Sequence, residues 1–153
     1  MEKTNVMRLL TQAGVPFTPH AYDAGVTDGM QVATLLGQDP MRVFKTLVTT
    51  SGPGAFHVFV IPVAGTLNLK KAAAAAQVKS IAMIPQKELL PLTGYVHGGC
   101  SPIGMKKPLP TYIEECALCF DTVILSAGRR GAQIELAPDD LLAFTGAVYA
   151  DLT

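Results

Sequence analysis

Two runs rich in β-branched and aromatic residues, RVFKTLVTT over 42–50 and AFHVFVIPV over 55–63, flank the short segment SGPG. Such runs suit a pleated, half-buried surface, and the Gly and Pro between them force a tight turn. This pair constrains the chain more than any other feature, because it predicts two strands joined by a tight turn, around which the rest must be arranged. Pro62 cannot donate a ladder hydrogen bond, so the end of the second strand belongs at an edge or a bulge.

Within the first run, period-two alternation places Val43, Lys45 and Leu47 on one face and Phe44, Thr46 and Val48 on the other. A lysine with apolar neighbours on its own face has two explanations. It guards an edge strand or snorkels to water, or its ammonium is aimed into a pocket where it stabilises negative charge on a ligand. The residue pattern alone leaves both open.

The remaining segments alternate irregularly. Apolar stripes and cap residues predict helices from about Thr4 to Ala13, stopped by Gly14, and from Asp28 to Leu36, stopped by Gly37. PFTPHAY reads as extended. Asn68 caps a helix through the alanines to Gln77, and Pro85 opens a short helix in PQKELLPL. SIAMI, PTYIEE, DTVILSAG, AQIEL and AVYADL read as strands. APDDLLAF starts a last helix, with acids in its first turn where they suit the dipole. Without regular βαβ alternation, the prediction is an α+β fold built on a mixed, largely antiparallel, curved sheet.

Composition bounds what such a chain does. A length of 153 residues suits one domain over 1–153, and 49% hydrophobic against 16% charged residues supports a substantial core. Twelve basic and twelve acidic side chains cancel, which argues against gripping a long nucleic acid by bulk charge. A local basic patch holding one or two phosphates stays open. No signal peptide or membrane-spanning run is read, so a soluble cytoplasmic protein is expected. The cysteines are Cys100, Cys116 and Cys119, an odd number, and disulfides are not expected. The single CxxC at 116–119 reads as two free thiols.

The segment YVHGGCSPIGMKKPLPTYIEE, 95–115, suggests a phosphate cradle. Gly99 and Gly104 have Walker A spacing, but Met105 stands where that motif needs lysine. Pro108 and Pro110 prevent the helix that would receive the phosphate. The pattern therefore argues against a nucleotide triphosphatase. The loop remains either an ordinary tight connection or a nest of backbone N–H groups for an oxyanion. Lys70 and Lys71 sit where the helix dipole disfavours them, which points weakly to an anion. Lys106, Lys107, Arg129 and Arg130 are turn residues, solvated or anion-binding. His20, His57 and His97 lie in unrelated segments, and no GxSxG, HExxH or paired CxxC is present. No metal and no cofactor is expected; an enzyme of this composition works by positioning, backbone donors and a lysine.

Four segments become specific together. VFKTLV, PVAGTLNLKKAA, GYVHGGCSPIGMKKPLPTYIEE and SAGRRGAQIELAPDDLLAFTGAVYADL occur in this order and spacing. In them the chain resembles the YbaK/EbsC family of aminoacyl-tRNA deacylases over nearly its whole length. The resemblance implies a barrel-like curved sheet surrounded by helices, related to the editing domain of bacterial prolyl-tRNA synthetases. It implies removal in trans of cysteine mischarged onto tRNA(Pro). The ligand would be the 3′ CCA end of an aminoacyl-tRNA, and prolyl-tRNA synthetase a transient partner.

By the same resemblance Lys45 is essential, and Tyr22, Thr46 and Ser126 bind substrate. The GxxxP loop carries over to Gly98, Gly99, Cys100, Ser101 and Pro102. Backbone N–H groups around Gly98 and Gly99 would meet the developing oxyanion, and Lys106, Lys107 and Arg130 would hold phosphates. The nucleophile would be the substrate's own thiol. Gln133 is a departure: close relatives carry aspartate there, which bears on amino-acid specificity. Two alternatives stay open, clearance of alanine or another small residue by water, and a non-catalytic module binding tRNA ends or the synthetase.

Overall fold

The computed structural model of the protein describes residues 2–153. Its helices begin and end where local chemistry dictates. α1 (Asn5–Gln12) is capped by Thr4, whose hydroxyl accepts from the Met7 amide at 3.2 Å, and it buries Val6, Met7 and Leu10. α2 (Gly29–Leu36) is capped by Asp28 and closed by Gly37 in the left-handed region. α3 (Leu69–Ala76) takes its cap from Asn68, which accepts from the amides of Lys70 and Lys71. A 3-10 turn at Gln86–Glu88 leads into α4 (Leu89–Thr93), and α5 (Pro138–Thr145) opens on Pro138 with Asp139 and Asp140 in its first turn.

The strands are β1 (Thr18–Ala21), β2 (Phe44–Gly52), β3 (Ala55–Pro62), β4 (Ala82–Met83), β5 (Thr111–Glu114), β6 (Val123–Arg129), β7 (Ala132–Leu136) and β8 (Val148–Ala150). They form a five-stranded sheet, β4-β2-β3-β5-β8, and a three-stranded sheet, β1-β7-β6. β3–β5 and β5–β8 pair parallel; the other named pairs are antiparallel. The α+β class and the curved mixed sheet therefore agree with expectation; the two sheets curve without closing into a barrel. Outside the named strands the sheets meet at one bridge among the described residues, Val43 to Ile124. Pro62 ends β3 beyond its pairing with β5, which covers Val58 to Val60, so its missing N–H breaks no ladder on that side.

Alternation along β3 explains the layering. Val58 and Val60 face the main core with Phe44 and Val48 of β2, Leu125 of β6, Ile134 of β7 and the apolar stripe of α1. Phe59 and Ile61 face the other side, against Ala72 and Ala73 of α3. Small alanines let that helix lie close on the sheet. A third cluster joins Ala33 of α2 to Val43, Val63 and Ile124, where the two sheets meet. The CxxC pair lies on a 3-10 turn at Glu115–Cys119, an element the residue pattern did not predict, and all three cysteines are free. Among the described residues no helix is long and apolar enough to cross a membrane.

Candidate active site

A cavity of about 320 Å³ lies beside the Val43–Ile124 bridge. Val43 and the start of β2, Phe44 to Leu47, supply one wall, with Lys45 and Thr46 among them. The small sheet supplies Ser126 and Gln133, which are direct cross-strand partners, and Tyr22 follows β1. The Gly-rich loop supplies His97, Gly98 and Cys100. Segments far apart in sequence thus meet because β1 pairs with β7 and the loop passes over the β6–β7 turn.

Lys45 is half-buried and makes no ion pair among the described residues. The carboxylate on the lining, Asp28, is exposed and accepts from the Gln31 amide at 3.3 Å as the cap of α2. Lys45 is therefore a cation that no neighbouring anion neutralises. Burial pushes the Cys100 thiol up to about 12, against a weaker downward pull from Thr93, so it stays protonated and is no nucleophile.

The loop holds its shape through the β6–β7 turn. Gly98 has φ +84°, and a side chain there would crowd Thr27 at 3.0 Å. A Cβ on Gly99 would lie 2.9 Å from the Arg130 amide nitrogen. The Gly99 N–H, expected among the oxyanion donors, is donated to the Val96 carbonyl at 3.0 Å. The N–H groups of Gly98 and Cys100 have no acceptor among the described residues, and both residues line the cavity. The available donors are therefore on either side of Gly99.

Other expected site residues sit elsewhere. Ser101 is buried, with its hydroxyl accepting from the Ile103 amide at 3.2 Å, and Pro102 lines a separate cleft. Lys106 reaches the Pro91 carbonyl at 3.4 Å, and the Lys107 ammonium lies 5.8 Å from the Phe56 ring centroid. Arg130 is exposed and donates to the His97 carbonyl at 2.8 Å. Lys71 pairs with Asp151 at 3.0 Å, outside the cavity lining. None of these lines the main cavity.

The residue pattern did not single out the start of α2 as a wall, yet Thr27, Asp28, Gly29 and Met30 all line the cavity. One signal was present: Gly29 opens α2 where a Cβ would lie 2.5 Å from Val63 Cγ1, so only glycine permits this approach. A supporting cluster stands behind the site. Glu135 binds His20 at 2.8 Å and Arg42 at 2.6 Å, and Thr122 donates to it at 2.6 Å. Arg42 precedes β2, so this cluster ties β1, β7 and the entry to the Lys45 strand. Among the described residues no group of His, Cys, Asp and Glu is placed to hold a metal ion.

The sequence profile of the aminoacyl-tRNA editing domain matches residues 24–144, which carry the cavity wall from α2 through β7. The chain belongs to the YbaK-like aminoacyl-tRNA editing family. It is 44% identical over 154 residues to the "Putative Cys-tRNA(Pro)/Cys-tRNA(Cys) deacylase EbsC" of Enterococcus faecalis, covering 99% of this chain and 94% of that protein. A crystal structure described as "a putative trans-editing enzyme for prolyl tRNA synthetase" matches with a TM-score of 0.83 at 26% identity, covering 99% of each chain. The crystal structure of a hypothetical protein matches with a TM-score of 0.89 at 26% identity, covering 97% of this chain and 99% of that one. The editing family works on the ester linking an amino acid to tRNA, and in this member Lys45, Gly98 and Cys100 line a cavity large enough for a small acyl group.

Proposed function

We propose that this protein removes cysteine from mischarged tRNA(Pro) in trans, and that Lys45 with the amides of Gly98 and Cys100 carries the reaction. The single observation behind this reading is that Lys45, which has no ion-pair partner among the described residues, lines one cavity with Gly98 and Cys100, whose amides have no acceptor there. Ester cleavage builds negative charge on the carbonyl oxygen. A preorganised backbone donor aimed at that charge contributes about 3 kcal/mol in the transition state. Lys45 adds a cation at the carbonyl or at the terminal phosphate.

The cavity lining offers no activated nucleophile, since the Cys100 thiol is held protonated. The substrate's thiolate attacks its own carbonyl. A C–S bond forms, the C–O ester bond breaks, and the ribose oxygen leaves and takes a proton. The product is a cyclic thiolactone and a free tRNA end. This chemistry discriminates where size does not, because one methylene in an apolar pocket is worth only about 1–3 kcal/mol. Alanine and proline esters lack the thiol and survive. Balanced net charge gives the chain little hold on a whole tRNA, so selectivity for tRNA(Pro) comes from association with prolyl-tRNA synthetase.

Deacylation of Cys-, Ala- and Ser-tRNA(Pro), with product identification, tests the reading. The expected result is cleavage of the cysteinyl ester alone, thiolactone as first product, a kcat that rises with pH as the substrate thiol ionises, and loss of activity in Lys45→Ala. Equal hydrolysis of the alanyl ester to free amino acid overturns it. Binding of tRNA without cleavage overturns it in favour of a non-catalytic module.

A further inference from the structure

The outer side of α2 is apolar where a surface helix is ordinarily polar. Val32 and Ala33 are buried beneath it, and Leu36 packs on the cluster where the two sheets meet. Facing outward, Met30 is 45% and Leu35 55% exposed. With Val26, Gln31 and Thr34 they line an open groove of about 360 Å³. Val26 is set there by a turn in which its amide donates to the Asp23 carbonyl at 3.0 Å. Met30 also lines the main cavity, so the groove adjoins it through a shared side chain.

We propose that this groove holds the adenine base of the acylated terminal nucleoside while the acyl group occupies the main cavity. The proposal rests on the deacylase reading above and deepens it. Size separates the two parts of the substrate. A volume of about 320 Å³ lies at the small end of the range that takes a drug-sized ligand. The cysteinyl ester and its ribose fill it. The base hangs from the far side of the same ribose, one sugar away from the ester, and comes to rest on a surface that adjoins the cavity. Met30 belongs to both hollows and marks the passage between them.

Chemistry favours a base over other occupants. The α2 sequence GMQVATLL carries no charged side chain, and the acids before it, Asp23 and Asp28, are exposed. A phosphate would find no cation on the groove lining and two carboxylates near its end. An uncharged ring suits the surface better, because thioether sulfur and aliphatic carbon both pack well on a π-face. Gln31 spends its backbone amide on the Asp28 cap and leaves its exposed carboxamide free among the described residues. A glutamine carboxamide matches the N6 donor and N7 acceptor on one edge of adenine. A second protein chain is a poor fit, since a stable interface takes about 20–30 residues a side and the groove offers five.

Steady-state kinetics on two substrates tests this. One is cysteinyl-tRNA(Pro) with its terminal adenosine. The other is the same ester on a tRNA whose terminal ribose carries no base, made by ligating a chemically acylated 3′ dinucleotide. Wild type, Leu35→Ser and Leu35→Met are compared, because Leu35 lines the groove and not the main cavity. In wild type, KM for the base-free substrate is about tenfold higher or more, the order expected for covering one base with apolar side chains. The two kcat values are alike, since the attack of the substrate thiol is untouched. In Leu35→Ser, KM for the natural substrate rises toward the base-free value, and Leu35→Met keeps it low. Equal KM for the two substrates in an active wild type, or a Leu35→Ser effect of the same size on both, overturns the base site alone. A wild-type dimer in sedimentation that Leu35→Ser dissolves overturns it in favour of a second copy of the chain. Cleavage of neither substrate overturns the deacylase reading and the base site with it. The wild-type comparison decides even if Leu35→Ser fails to fold.

Discussion

The Nε of Arg130 donates to the carbonyl oxygen of His97 at 2.8 Å, fastening the β6–β7 turn to the loop that presents the Gly98 and Cys100 amides. Arg130→Ala frees the loop while removing only an exposed side chain. The expected outcome is a fall of about tenfold or more in single-turnover deacylation, since misplacing positioned donors weakens them in the transition state. The melting temperature changes little. Arg130→Lys does not restore the rate, because lysine lacks the fixed Nε–H. An unaltered rate in Arg130→Ala removes the loop-holding role.

Gly99 stacks its Cα on the backbone of the same turn. In Gly99→Ala the new methyl lies 2.9 Å from the Arg130 amide nitrogen and 3.0 Å from the Arg129 carbonyl carbon, atoms that yield only with the strand ends. Overpacking of this kind costs about 1–3 kcal/mol, and here it also shifts the donors. Chemical denaturation and kcat both fall. Gly54→Ala is the control: its φ of +72° is strained for alanine, but nothing lies within 4 Å. It loses stability and keeps kcat.

The Glu135 carboxyl is held below its ordinary value of 4.5, first by the Thr122 hydroxyl and, against burial, by His20 and Arg42. A depressed folded pKa means that the unfolded chain binds the proton more readily. The contribution to stability is therefore complete above the unfolded value and is lost as pH falls through the folded one. Glu135→Gln is expected to be about 1–3 kcal/mol less stable than wild type near neutral pH. Below about pH 4.5 the gap narrows. Urea midpoints measured across that range check it, and parallel pH curves for the two proteins would contradict it.

The thiols differ by environment. Cys119 is exposed; Cys116 is pushed up to about 12 by burial and by Glu114; Cys100 is buried and pushed up to about 12. Iodoacetamide followed by mass spectrometry should modify Cys119 first and Cys100 last, because the thiolate is the reactive form. Fast labelling of Cys100 in the folded protein would show that its thiol ionises in the cavity, contrary to the mechanism above.

The helices and strands were legible because their signals are local. Thr4, Asp28 and Asn68 cap helices through their own side chains, and Gly37 ends one by its own backbone freedom. Alternation along 42–50 and 55–63 marked the hairpin before any partner was known. The 3-10 turn over Glu115–Cys119 was not legible: its cap, Glu114, accepts locally from the Cys116 amide through one carboxylate oxygen, but the other oxygen is held by the distant amides of Leu152 and Thr153. The resemblance brought Lys45, Tyr22, Ser126 and the loop together as names, and Lys106, Lys107 and Arg130 with them.

Sequence alone determined most of the elements and the family, and named Lys45 as the candidate cation, since periodicity, caps and motif spacing act over a few residues. The tertiary structure decided which groups share a cavity. The pairing of β1 with β7 puts Tyr22 near Gln133, and the bridge from Val43 to Ile124 sets β2 against the small sheet. Gly99 packs against the Arg130 backbone, and the amides on either side of it have no acceptor among the described residues. The reason is physical: convergence depends on register, crossover and close packing between segments far apart in the chain, 115 positions in the case of His20 and Glu135, and no local pattern encodes those distances.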